Sequence, residues 1–268
     1  MSFHEQPLAQ DLTRYVQCLW TSSFSQPGRS ESVIVPDGCV EIVYSIEGSF
    51  HLAGRPGRAQ MPARTITVLG LATRALGTMY RGPSRLIGLR LTPAGAMRLF
   101  PDGLRDLVDG SADGEQIFPA LTRRLAGAVE HFTESGRPEL LNQELRTTLA
   151  GARFVDPRVE HATSLLHSGS GPTTVAGAAL EAGVSTRRLD RCFDKHFGIS
   201  PKLLYRVARF QRAFSVGMLG QRGDWADVAA RCGYSDQSHL SREFFEFTDQ
   251  TPERMRAAFA ASPPSSDV

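Results

Sequence analysis

At 268 residues the chain is long enough for two domains, each with a real core. No run of 18 apolar residues occurs, and the start MSFHEQPLAQDLTRY has neither a basic nor an apolar leader segment. A soluble, non-exported, cytoplasmic protein without membrane contact is therefore expected. The formal net charge of +2 says little about partners. Cys18, Cys39, Cys192 and Cys232 are scattered without CxxC spacing and read as small apolar residues in a reducing compartment; neither metal nor cofactor is expected.

Residues 1–112 carry short β-branched runs, at Tyr15–Trp20, Ser32–Val35, Val40–Ile46, Ile66–Leu69 and Leu86–Leu91. Turn signals separate them: Pro36-Asp37-Gly38, Glu47-Gly48, Gly54-Arg55-Pro56-Gly57 and Gly82-Pro83. This pattern predicts a small antiparallel sandwich or barrel. Glu41 shares a strand face with Val43, and Arg90 shares one with Leu86 and Gly88. A buried Glu41–Arg90 pair could hold a zwitterionic effector; the alternative is a purely structural or solvent-facing role for both. His51 is the only histidine between His4 and His131, so a clustered His/Glu metal site is missing. No Ser-His-Asp order, glycine-rich phosphate loop or paired-carboxylate signature is evident, which argues against an enzyme.

From residue 113 to 152 the pattern turns helical. Ile117, Leu121, Leu125 and Val129 form one stripe, Leu140, Leu141 and Leu145 another, and Gly136-Arg137-Pro138 separates them. Such a helical connector packs on the β domain or pairs with a second subunit. Asp156-Pro157 then opens a new helix, so the domain boundary falls near 151–155 and the next domain covers 153–261. The segment 262–268 is Pro/Ser-rich and is expected to be disordered.

Within 153–261 one unit occurs twice, with Gly183 and Gly233 at equivalent places 50 residues apart. In the first, Thr174 caps a helix whose inner face is Val175, Ala178, Ala179 and Ala182. Gly183 makes the corner, and Ser185 caps a second helix that turns Leu189 and Phe193 inward. In the second, Asp224 caps a helix carrying Trp225, Val228, Ala229 and Cys232. Gly233 makes the corner, and Ser235 is the natural cap for a helix with Leu240, Phe244 and Phe247 inside. One residue fewer separates Gly183 from Leu189 than Gly233 from Leu240. Both units close on Ser/Thr-Pro, at Ser200-Pro201 and Thr251-Pro252. A spacer helix of about five turns joins them.

Helix, glycine corner and helix with a donor-rich outer face is the helix-turn-helix geometry that enters a DNA major groove. Arg187 and Arg191 are candidates for base contacts in the first unit, with Arg188 and Lys195 beside them for phosphates. In the second, Ser238, His239 and Arg242 are the candidates, with Gln237 near the helix start. From Ser185 to Arg212 eight Lys/Arg face Asp190 and Asp194, a net of +6. From Ala213 onward five Arg face eight acids, a net of −3. The first unit and the spacer are thus expected to supply most of the phosphate attraction.

The residues from about 156 to 259 resemble the DNA-binding domain of the AraC/XylS family of transcription regulators. The match is carried by Ala179-x3-Gly183-x-Ser185, Leu189-x-Arg191-x-Phe193, Gly198-x-Ser200-Pro201 and Arg209-x3-Ala213. It continues through Val228-Ala229-x3-Gly233-Tyr234-Ser235-Asp236-Gln237-Ser238-His239-Leu240-Ser241-Arg242-x-Phe244. Asp249 departs from the family's usual glycine, and Gly177 sits inside a helix at a cost of about 1 kcal/mol. The resemblance implies a sequence-specific transcription regulator with an N-terminal cupin-like sensor for a small-molecule effector. Double-stranded DNA is the implied partner, with RNA polymerase and a second copy of the chain as further ones. Two alternatives stay open: a partner-docking module whose helix-turn-helix units no longer bind DNA, and a cupin-type enzyme.

Overall fold

A computed structural model describes residues 2–25, 29–53, 60–169, 174–219 and 224–261. The Gly54–Gly57 turn signal and the tail at 262–268 lie outside the described residues.

The β half grows around one long strand, β7 (Leu76–Leu91). Its second half pairs with β2 (Val16–Phe24), its first half with β3 (Arg29–Ile34), and β4 (Val40–Ala53) lies along its other edge. The order is β1 (Ser2–Gln6), β2, β7, β4, β6 (Ile66–Leu69) and β8 (Ser111–Asp113), with β5 (Gln60–Met61) on β4. Each described pairing is antiparallel.

Two strands outrun their sequence signals. Glu47-Gly48 and Gly82-Pro83 read as turns, yet β4 and β7 continue through them. Glu47 pairs with Arg85 and the register slips on either side of it. An irregular ladder bends a strand without ending it, so the two signals mark one kink shared by two strands. β1 escapes the sequence reading because its residues are half-buried or exposed and show no alternation.

The two sheet faces bury different clusters. Trp20, Phe24, Val43, Phe50, Tyr80 and Leu86 pack together on one. Leu19, Ile42, Tyr44, Ile87 and Leu89 pack on the other against Met97 of α1 (Pro93–Leu99) and the connector helices. Ile117 belongs to a separate short helix, α2 (Gly114–Ile117), because Pro119 starts α3 (Pro119–Ser135) afresh. Leu121, Leu125 and Val129 carry the α3 stripe. In α4 (Glu139–Ala150), Leu141 and Leu145 are fully buried while Leu140 is 36% exposed and drops out of its expected stripe. The connector hairpin therefore spends its apolar face within the chain.

The helical half runs α5 (Pro157–Ser168), α6 (Val175–Glu181), α7 (Thr186–Phe197), α8 (Pro201–Leu219), α9 (Trp225–Arg231), α10 (Gln237–Thr248) and α11 (Pro252–Ala261). The second-face cluster of the sheet continues into it through Val159, Leu166, Ala178, Leu189, Phe193 and Leu204. Glu160 of α5 is completely buried and accepts from Arg14 at 2.9 Å and from Arg98 of α1. Residues 174–204 thus share one core with the β half. Phe210, Trp225, Val228, Leu240, Phe244 and Phe247 form a separate core around α9 and α10.

Glu243, 3% exposed, ties α10 to the spacer α8. It accepts from Arg206 at 2.8 Å, Arg209 at 2.6 Å and the Tyr234 hydroxyl at 2.7 Å. Arg206 also reaches Glu246, and Arg212 donates to the carbonyls of Gly169 and Cys232. Three cations expected to attract phosphate from the spacer are therefore engaged inside the fold.

Burial alone would raise the Glu243 carboxyl, but donation from Arg206, Tyr234 and Arg209 outweighs it and holds the group below the ordinary 4.5. A depressed carboxylate stabilises the fold above its unfolded pKa and loses that contribution as pH falls through its native one. Glu243→Gln is expected to cost the second unit about 3 kcal/mol at pH 7, because two arginines lose a buried counter-charge. Hydrogen exchange of the α9 and α10 amides measures this. The gap between wild type and variant should close as pH drops below the ordinary carboxylate range; equal protection at pH 7 would remove Glu243 from its tying role.

Candidate DNA interface and effector site

In the first unit, Thr174 accepts the Gly177 N–H at 3.0 Å, and α6 lays Ala178, Ala179 and Ala182 on the core. Gly183 turns the corner at φ +67°, where an L side chain is disfavoured. Ser185 then accepts the Arg188 N–H at 3.2 Å and starts α7. Leu189, Phe193 and Phe197 face inward. Arg187 and Arg191 stand exposed and, among the described residues, make no ion pair. Arg188 instead meets Asp156, the cap of α5, at 2.7 Å. Lys195 lies on the same flank, exposed and without an ion pair among the described residues.

The second unit repeats this with one shift. Its cap is Asp236 rather than Ser235: the Asp236 carboxylate accepts the His239 N–H at 2.7 Å. That N–H and the Ser235 hydroxyl hold the Asp236 carboxyl below its usual range, so the cap is charged at neutral pH. The extra residue between corner and helix, visible in the Gly233–Leu240 spacing, is absorbed here. Gln237, Ser238 and Arg242 are exposed. His239 is half-buried: its Nδ1 meets Ser235 Oγ at 3.2 Å, its Nε2 meets Arg209 at 3.4 Å, and its ring stands edge-on to Tyr234. It braces the helix start more than it projects. Asp249 ends α10 in the left-handed conformation at φ +54°, as Gly198 ends α7 at φ +65°, so the departure from glycine keeps the same geometry.

The β half touches the C-terminal ends of both helices. Leu104 N–H donates to His196 O at 2.7 Å, and Ala75 N–H donates to Phe247 O at 2.6 Å. Arg105 faces Asp194 at 3.4 Å.

Glu41 and Arg90 do form a pair, at 2.8 Å, directly opposite one another on β4 and β7. The other Glu41 oxygen accepts the Trp20 indole N–H at 2.7 Å. Gly88 makes that possible, since a Cβ there would sit 2.0 Å from the indole ring. Arg90 also contacts Glu5 at 2.6 Å and Asp37 at 3.3 Å, so three carboxylates surround one guanidinium. Burial pushes the Glu41 carboxyl above the usual range, and the Arg90 charge offsets this only in part. Sequence reasoning missed Trp20, Glu5 and Asp37 here; the period-2 alternation that places Trp20 opposite Gly88 was the available signal. The Asp37 carboxylate meets Arg90, and the Asp37 backbone hydrogen-bonds to the His167 ring of α5. Cys39 Sγ lies 3.5 Å from His167 Nε2 and donates to Gln17 at 3.1 Å. No group of three or more His, Cys, Asp and Glu among the described residues is arranged to hold a metal. No described helix is long and apolar enough to cross a membrane.

Residues 178–258 match a family described as "Helix-turn-helix domain", and residues 4–113 match "Domain of unknown function (DUF6597)". No curated protein matches the chain. ToxT from Vibrio cholerae superposes with a TM-score of 0.51 at 10% identity, covering 89% of this chain and 98% of ToxT. The same protein bound to (E)-4-(8-methylnaphthalen-1-yl)but-3-enoic acid gives 0.52 at 11% identity, with coverage of 89% and 98%. These two likenesses show a shared two-domain fold. The DNA-binding domain of AdpA, in complex with a target DNA, is 26% identical over 42% of this chain and all (100%) of that domain, with a TM-score of 0.37. A β-rich N-terminal domain is thus joined to twin helix-turn-helix units, and a helix-turn-helix family is matched across both units.

Proposed function

We propose that the protein is a cytoplasmic, effector-responsive transcription regulator that lays α7 and α10 into successive major-groove segments on one face of a duplex, about 34 Å apart. The observation that carries this is the contrast within the helical half. Arg206, Arg209 and Arg212 are spent on internal ties, while Arg187, Arg191 and Arg242 are exposed and without ion pairs among the described residues. Arg187 and Arg191 read bases in the first segment; Gln237, Ser238 and Arg242 do so in the second, and His239 sets the start of its helix. Arg188 and Lys195 take phosphates. RNA polymerase and a second copy of the chain are the partners that fit such a role.

The effector end is the Glu41–Arg90 cluster. An excess of carboxylate over guanidinium favours a cationic or zwitterionic ligand there. The small acid bound to the similarly folded ToxT supports ligand control in general. Asp37, in contact with both Arg90 and His167, is the route from the cluster to α5.

Selection of bound duplexes from a random pool, followed by footprinting, tests the reading. Affinity for random duplex must fall steeply with salt. Arg191→Ala is expected to weaken the selected site by about 1–3 kcal/mol and to relax one base position; equal loss on all sequences would make it a phosphate anchor. Asp37→Asn is expected to change operator affinity by about fivefold or more, with an unchanged salt slope. Identical operator affinity would disconnect the cluster from the DNA-binding half.

A further inference from the structure

A cleft of about 180 Å³ opens between α1, the segment joining α4 to α5, and α7. Its walls are apolar: Met97, Cys192 and Phe154, the last 77% exposed. Its rim is cationic. Arg153 and Lys195 line it without ion pairs among the described residues, and Arg188 lines it in contact with Asp156. Three cations against one acid leave a net positive cleft. His196 also lines it; its ring hydrogen-bonds to the Phe100 backbone, and its Nδ1 is buried without a partner among the described residues. Burial, with the neighbouring Lys195 charge, lowers the His196 pKa, so the ring is neutral at pH 7.

Size narrows the occupant. A protein cavity of about 150 Å³ accepts benzene, so this cleft suits one ring or a short branched chain. We propose that it is a second effector site, for a small organic anion whose carboxylate or phosphate meets Lys195 and Arg153 while its apolar body lies against Phe154 and Met97. Arg188, Cys192 and Lys195 recur at helical spacing along one flank of α7, next to the face that carries Arg187 and Arg191. An anion seated here occupies Lys195, which is assigned to a DNA phosphate, and lies beside Arg188, the other such cation, so ligand and duplex compete. The competition rests on the DNA-binding reading; the binding itself does not.

Cys192 supplies the readout, because it is half-buried whereas Cys18, Cys39 and Cys232 are buried. On the native full-length protein, phenyl phosphate or benzoate at about 1 mM is expected to slow maleimide labelling of Cys192 by about fivefold or more. Cys192→Ser identifies the labelled thiol. Phe154→Ala and Lys195→Gln, both at exposed side chains, should each abolish the protection. Protection by phenyl phosphate alone would assign the site to phosphate esters, and by both to organic anions generally. Equal protection by inorganic phosphate, or by benzyl alcohol, would overturn the proposal, as would no protection by either probe. Phenyl phosphate should also weaken duplex binding by the wild type several-fold, and that of Lys195→Gln much less. Protection without loss of duplex affinity would overturn the competition. Failure of the unliganded protein to bind duplex would instead count against the functional reading.

Discussion

The placement of α10 against the spacer depends on a single, almost fully buried carboxylate, Glu243. Removing Glu243 and the heads of Arg206 and Arg209 from solvent is costly, and the cost is offset only when every partner is in place. The tie is therefore close to all-or-none. With the Tyr234 hydroxyl as third donor, and Arg209 lying 4.3 Å from the Tyr234 ring centre, spacer and second unit behave as one piece. His239 and its Ser235 partner extend that brace to the first turn of α10. The orientation of Ser238 and Arg242 relative to the spacer follows from these contacts, not from anything on the outer face.

The first unit is held by other means. Its inner face joins the apolar core of the β half, so α7 is oriented by the sheet and connector as much as by α8. The β half also reaches both α7 and α10 at their C-terminal ends, through Leu104 and Ala75, leaving the N-terminal turns open. Those turns carry Arg187 and Arg191 in one case, Gln237 and Ser238 in the other. A change within the β half can thus reach both helices without touching their exposed N-terminal turns.

What the chain disclosed on reading divides by range. Caps, corners and the inward stripes of the twin units are local and were legible: Thr174, Gly183, Ser185, Asp224 and Gly233 act as their types suggest. The misplaced cap, Ser235 for Asp236, is a one-residue error where two good capping residues stand side by side. The Glu41–Arg90 pairing was legible because strand alternation places both side chains on the same face. Long-range polar ties were not. Nothing near Glu160 or Glu243 in sequence announces partners at Arg14, Arg98 or Arg206, so the spacer arginines looked like free positive charge. The kink shared by β4 and β7 was misread for a related reason: turn residues on two strands become a bend only once the strands are paired.

Glu160 sets a limit on how such a chain can be recombined. It belongs to the helical half, yet its counter-ions Arg14 and Arg98 belong to the β half. A chimaera that grafts this helical half onto a foreign sensor inherits a fully enclosed negative charge with nothing to neutralise it, unless the sensor brings arginines at both places. The two halves are thus a matched set, and exchange between relatives is restricted to those that preserve the same three-residue lock.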